Sequence, residues 1–178
     1  IVNIATIAHV LKIPRATSMQ VGLGSSGRTT LTKLASYMLG FEFLTPEIRK
    51  DMKLADFRDA LKSLIMNAVA RKQHTTYLFK DEHIIDESFF EYVYSFISSS
   101  EMSGLLSVDD WRAVSASFTV EPNGPSLQAQ FWAAAGEFVH VVLCFSPLGN
   151  ALRTRMRQYP CLLGSCSVSW LLDWQQDS

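Results

Sequence analysis

Val21-Gly-Leu-Gly-Ser-Ser-Gly-Arg-Thr-Thr30 is the stretch on which the reading of the fold turns. It follows a short strand-like run, Thr17 to Val21. It opens a segment, Thr29 to Leu39, where Leu31, Leu34, Ala35 and Met38 recur at helical spacing before Gly40, a good C-cap. A strand, a glycine turn and a helix start in that order put unpaired N–H groups and the helix dipole at one point, which attracts phosphate oxygens. Two patterns fit. As GxGxxG the stretch is a dinucleotide fingerprint, with Glu42 about far enough on to bind a ribose. As GxxxxG[K/R][S/T] it is a P-loop. Gly22, Leu23, Gly24, Ser25, Ser26 and Gly27 then form the cradle, Arg28 replaces the usual Lys, and Thr29-Thr30 offer a hydroxyl to a metal.

Tyr77-Leu-Phe-Lys-Asp-Glu82 weighs toward the P-loop. A phosphate-hydrolysing loop needs an acid at the end of a nearby strand to hold Mg²⁺ through water, and a second acid can orient the attacking water. Asp81 and Glu82 supply both at the end of a third strand, Thr75 to Phe79. A dehydrogenase needs neither. A further strand, His140 to Phe145, ends in Ser146-Pro147. If it lies between the glycine-loop strand and the acidic strand, Ser146 faces both the terminal phosphate and the water. Read alone, Ser-Pro is equally a turn that ends a strand.

Outward from these segments, short apolar runs alternate with amphipathic ones, the signature of βα units and a parallel sheet. Helices are expected over Ile4 to Ile13, Leu54 to Ala70, Asp86 to Ile97, Ser126 to Phe138 and Asn150 to Gln158. Additional strands are expected at Phe41 to Leu44 and Cys166 to Leu172. Residues 101–125, with Gly104, Pro122, Gly124 and Pro125, read as an irregular insertion. The expected fold is α/β, a three-layer αβα sandwich on a mostly parallel five-stranded sheet, with residues 1–178 forming one unit.

Composition sets outer bounds. The chain has 178 residues, 48% apolar and 19% charged, which supplies a core and excludes disorder. Its formal net charge of −1 gives no reason to expect a nucleic-acid partner. The most apolar run, Phe138 to Phe145, contains His140 and falls short of the roughly 20 residues a membrane span needs. Cys144, Cys161 and Cys166 are odd in number without a CxxC pair, which fits a reducing cytosolic compartment better than a disulfide or zinc scaffold. His9, His74, His83 and His140 are scattered and read as surface or packing residues. Arg153, Arg155 and Arg157 read as a solvated basic face, and Trp111, Trp132, Trp170 and Trp174 as core or contact residues. Nothing resembles a Ser/His/Asp triad or a Cys/His pair. The absence of an initial Met and of a closing helix reads as a fragment of something longer.

Taken together, Val21 to Ala35, Phe57-Arg-Asp-Ala-Leu-Lys-Ser-Leu64, Asp86-Glu-Ser-Phe-Phe-Glu91 and His140 to Pro147 resemble the fourth AAA+ module of dynein heavy chains, the axonemal ones in particular. Leu152-Arg-Thr-Arg-Met-Arg157, Tyr159-Pro160, Trp170 and Trp174 are similar to the stretch that closes the module's large subdomain. The likeness covers roughly residues 5–100 and 137–175. It implies an AAA+ P-loop ATPase module, without its small helical lid, in a six-module ring that moves along microtubules. It also implies bound ATP or ADP with Mg²⁺, neighbouring modules and dynein intermediate and light chains as partners, and the cytoplasm, cytoskeleton and axoneme of cilia or flagella as location. Carried over, Gly22 to Thr30 bind the phosphates and Thr29 and Asp81 the metal. Glu82 polarises water, Ser146 stands at sensor I, and Arg155 projects toward the neighbouring module's nucleotide. Arg28 for Lys, and Ser146 where Asn is common, imply slow turnover with nucleotide retained. A structural module that holds nucleotide without hydrolysis stands beside this reading. A dinucleotide-dependent oxidoreductase is a more distant alternative.

Overall fold

Strands buried on both faces read as near-continuous apolar runs, and covering both faces takes helices on each side. The computed structural model describes residues 2–47, 52–118 and 124–171. Its strands are β1 (Thr17–Gly22), β2 (Glu42–Leu44), β3 (Thr75–Lys80), β4 (Val139–Phe145) and β5 (Cys166–Leu171). They form one sheet in the order β2-β3-β4-β1-β5, with every neighbouring pair parallel. Every residue of β1 and β4 is buried. Side chains alternate between faces. From β4, Val142 and Cys144 pack with Ile7, Leu11, Leu31 and Ala35 beneath α1 (Val2–Leu11) and α2 (Arg28–Leu39). Val141, Leu143 and Phe145 enter the larger core on the other face. That core is closed by α3 (Leu54–Arg71), α4 (Glu87–Ser99), α5 (Val108–Ser117), α6 (Leu127–Phe138), α7 (Ala151–Gln158) and α8 (Cys161–Ser165). Phe57 stacks on Phe89 at 4.6 Å, and Phe90 meets Phe145 and Tyr159 edge-on at 5.7 and 5.0 Å. The three-layer αβα sandwich expected from the alternation is the fold observed.

The glycine-loop helix seats differently from its apolar pattern. Leu34 and Met38 face outward, whereas Leu31, Thr32, Ala35 and Ser36 are buried. Small side chains let α2 approach the sheet closely, and each buried hydroxyl of this helix is satisfied. Gln20 Nε2, itself fully buried, donates to Thr32 Oγ1 at 2.7 Å. Thr32 Oγ1 donates to the Arg28 carbonyl at 2.8 Å, and Ser36 Oγ to the Thr32 carbonyl at 2.8 Å. Gly40 ends the helix with φ 71°, a conformation that glycine adopts without strain.

Residues 101–125 are not simply irregular, because α5 lies within them. A Ser107–Asp110 capping box starts it, Lys62 pairs with Asp110, and Arg58 donates to the Gly104 carbonyl. Val114 is buried, and Trp111 packs edge-on against Phe131 and Trp132 at 5.5 and 6.4 Å. Five-residue α8 is equally unannounced in sequence, being too short to show a period. Pro122, Leu172 and Trp174 lie outside the described residues. Replacing Ser107 with Ala should cost about 1 kcal/mol, the worth of an N-cap. A urea titration of the chain checks that value.

Two of the histidines read as scattered meet at the end of the sheet opposite the glycine loop. His74 Nδ1 lies 3.0 Å from His140 Nε2, and Phe41 stacks on both rings at 4.8 and 5.0 Å.

Candidate functional site

The glycine loop leaves β1 at Gly22. A Cβ built there would stand 2.6 Å from Ser26 Oγ and 2.8 Å from the Leu171 carbonyl, so only glycine fits. Ser26, buried, turns the loop by donating from its hydroxyl and its N–H to the Leu23 carbonyl, at 2.7 and 3.1 Å. Gly27 takes φ 78° and hands the chain to α2. A Cβ at Gly24 would meet nothing within 4 Å, and Gly24 and Ser25 are exposed. The first-turn N–H groups of α2 lack intrahelical acceptors, and that turn carries Arg28, Thr29 and Thr30. The result is an open anion cradle at the C-terminal edge of a parallel sheet, where ligands bind in open α/β folds.

Strand order brings the other predicted residues to the same edge. β4 lies between β1 and β3, with Val21 opposite Phe145 and Cys144 opposite Lys80. Ser146 and Asp81 therefore leave adjacent strands at one level, and the Ser146 N–H donates to Asp81 Oδ2. Burial raises the Asp81 carboxyl above its ordinary pKa, although the Ser146 N–H, Arg155 and Arg28 all act to lower it. Glu82 turns outward. Its side chain is 68% exposed and paired with Lys80, whose hydrogen bond holds its pKa low. His83 packs edge-on against Phe79 at 5.6 Å and accepts the Lys80 N–H at its Nδ1 at 3.1 Å. Burial, with the Lys80 charge second, lowers its pKa to about 4.

Arg155 is turned into its own unit. Its Nη1 donates to Asp81 Oδ1 at 3.1 Å, and its Nε and Nη2 donate to Glu87 Oε1 at 3.2 and 2.9 Å. The guanidinium lies 5.8 Å over the Phe145 ring, and the side chain is 11% exposed. Glu87, Lys80 and Gln20 belong to the site's support, and sequence reasoning missed all three. Glu87 reads as an ordinary acid in a helix first turn. Gln20 reads as a strand residue, and Lys80 as the residue that follows the end of one.

The family model of the P-loop containing dynein motor region D4 matches residues 1–178. The chain belongs to the dynein motor region D4 family. This D4 chain is 30% identical to dynein axonemal heavy chain 5 of Rattus norvegicus over 99% of its length, covering 5% of that protein. It is 31% identical to dynein axonemal heavy chain 2 and 28% identical to dynein axonemal heavy chain 1, both of Homo sapiens, covering 99% of this chain and 4% of each relative. Among solved structures it is similar to the Aeropyrum pernix ORC2 protein in ADPNP-ADP complexes, with TM-score 0.45 and 14% identity, over 96% of this chain and 47% of that one. The D4 chain thus spans about one twentieth of the axonemal heavy chains it matches.

For a nucleotide's phosphates the D4 loop fits, since it has the cradle, the helix terminus and a cation. For Mg²⁺ the fit is incomplete. Thr29 is exposed and free to hold a metal, but Asp81 already has the Arg155 guanidinium beside it, a positive charge where the metal's own charge would act. Among the described residues no group of three or more His, Cys, Asp or Glu gathers around a metal-sized space. No helix there is long and apolar enough to cross a membrane.

Proposed function

We propose that this D4 module binds ATP or ADP through Gly22–Thr30 and serves as a slow, regulatory ATPase module of a microtubule motor in the axoneme of cilia or flagella. The observation that carries the reading is the loop itself. Gly22 admits no side chain, Gly27 has a positive φ, and the two turn the start of α2 toward open space. In this reading the first-turn N–H groups and Arg28 neutralise phosphate charge, and Ser146 lies between phosphate and water. Glu82 orients the attacking water once Lys80 releases it. Mg²⁺, when bound, supplies further phosphate neutralisation, with Thr29 as its holder. The axonemal heavy-chain names of the relatives support neighbouring AAA+ modules as partners in one chain, and microtubules with dynein intermediate and light chains as partners of the whole motor. The test is a cryo-EM map of the assembled heavy chain prepared with ATP. Nucleotide density at Gly22–Thr30 is expected, and an empty loop would overturn the reading.

A second reading, a module that holds nucleotide without turnover, is favoured by the exposed, Lys80-paired state of Glu82. A single substitution separates the two. An oriented general base contributes about 10²- to 10⁴-fold in rate. If Glu82 acts as one, Glu82→Gln should slow single-turnover decay of ATP at this module by at least the lower bound. Equal decay in variant and parent would favour the holding module.

A further inference from the structure

Asp81 is the acid on which a metal shell in this site would hang, yet its two oxygens already have partners from this chain. Oδ2 accepts the Ser146 N–H, and Oδ1 accepts Arg155 Nη1 at 3.1 Å. Arg155 is not a surface side chain folded down by chance. Its remaining fork is filled by Glu87 Oε1 at 3.2 and 2.9 Å, its plane lies over Phe145, and little of it reaches water. A guanidinium held by two carboxylates and a ring is pre-organised, and leaving would strand both acids without their counter-ion.

Building on the nucleotide-binding reading, we propose that Arg155 acts inside its own module as the fixed counter-ion of Asp81, standing in for the divalent cation, so that the loop retains nucleotide without metal. The single guanidinium is shared between Asp81 and Glu87 beside the cradle, while Arg28 faces the phosphates. Asp81 therefore has a fixed positive charge beside it before any ligand arrives. Mg²⁺ gains little by entering, because the Asp81 charge that would draw its water shell is already offset by the Arg155 guanidinium at 3.1 Å. Arg155 is a positioning residue here. It acts through Asp81 and does not touch the nucleotide.

Magnesium itself is the probe, in the assembled heavy chain loaded with ADP and mapped by cryo-EM, once with excess Mg²⁺ and once with excess EDTA. Nucleotide density at Gly22–Thr30 should be the same in both maps, with Arg155 on Asp81. Density present only with Mg²⁺, with the metal beside Asp81, overturns the inference and leaves the nucleotide site standing. A loop empty in both maps overturns the nucleotide reading and this inference with it. Arg155→Gln supplies a readout that a merely structural arginine would not move. Retention in EDTA should fall by about tenfold, a usual size for coupling between two ligands, and Mg²⁺ should restore it as Asp81 comes free. Arg155→Lys, which keeps the charge, should hold nucleotide in EDTA better than Arg155→Gln. Loss in Arg155→Gln that Mg²⁺ does not restore would mean a scaffolding role and would overturn the proposal.

Discussion

Gly22→Val should empty this module of nucleotide and destabilise it in the same stroke. The new Cβ would stand 2.6 Å from Ser26 Oγ and 2.8 Å from the Leu171 carbonyl. Ser26 cannot simply retreat, because it is buried and its hydroxyl and N–H both close the turn on Leu23. Nor can Leu171 move freely, since β5 is paired along β1 from Thr17 to Gly22. Forcing extra carbons into such a site costs about 1–3 kcal/mol, and here the displaced atoms are those that shape the phosphate cradle. Gly24→Ala is the control. Its added methyl meets nothing within 4 Å, so the fold should keep its stability. The paired measurement is thermal unfolding of both variants and nucleotide density at this loop in the assembled motor. Nucleotide retained at the parent level in Gly22→Val would mean that the loop's shape is not what holds the phosphates.

The same contrast between glycines shows how much of the loop is legible in sequence. All three glycines of the loop look equivalent in sequence, and the strand–turn–helix context is enough to place the cradle. Only packing tells that Gly22 is sterically required, Gly27 conformationally required, and Gly24 neither by contacts within the chain. Asp81 and Ser146 were legible because strand ends are visible as the ends of apolar runs, and parallel order then brings them side by side. The partner of Asp81 was not. Arg155 and Glu87 sit in helices far apart in sequence, and helix periodicity says nothing about which tips converge. The outward turn of Glu82 was equally hidden, because it depends on Lys80, which in sequence is only the residue after a strand. At α2 the apolar count pointed to Leu34 and Met38, whereas the seam uses Thr32 and Ser36. Hydroxyls that find acceptors within one helical turn are cheaper to bury than a pattern of polarity implies.

Acid should destabilise the folded chain well before its carboxylates titrate, and His140 should account for much of the loss. His140 is 2% exposed, and burial, with the charge of His74 second, lowers its pKa from 6.5 to about 4. Its Nε2 lies 3.0 Å from His74 Nδ1, while its own Nδ1 has no partner among the described residues. Charging the ring would bury an unpaired N–H beside a second imidazole and between aromatic faces. The sign follows from proton binding. Between the unfolded value near 6.5 and the folded value near 4, the unfolded chain binds the extra proton, so stability rises with pH across that window and falls as acid is added. At about 1.4 kcal/mol per pH unit, the loss for this one group approaches about 3 kcal/mol at the acid end. His83, also lowered to about 4 by burial, adds a loss of the same sign in the same window. Asp110, held at about 2 by Lys62 and Ser107, adds a loss of the same sign as pH falls from 3.8 to about 2. Asp81, raised by burial, acts in the opposite sense from 3.8 upward, where the folded state binds the extra proton. The measurement is urea unfolding of the chain at a series of pH values from 7 down to 4.5, in the parent and in His140→Gln. Glutamine keeps a hydrogen-bonding group toward His74 and removes the titration. The parent should show a positive slope of stability with pH, and His140→Gln a visibly shallower one. Parallel curves would place the acid sensitivity elsewhere and leave the His74–His140 pair as packing alone.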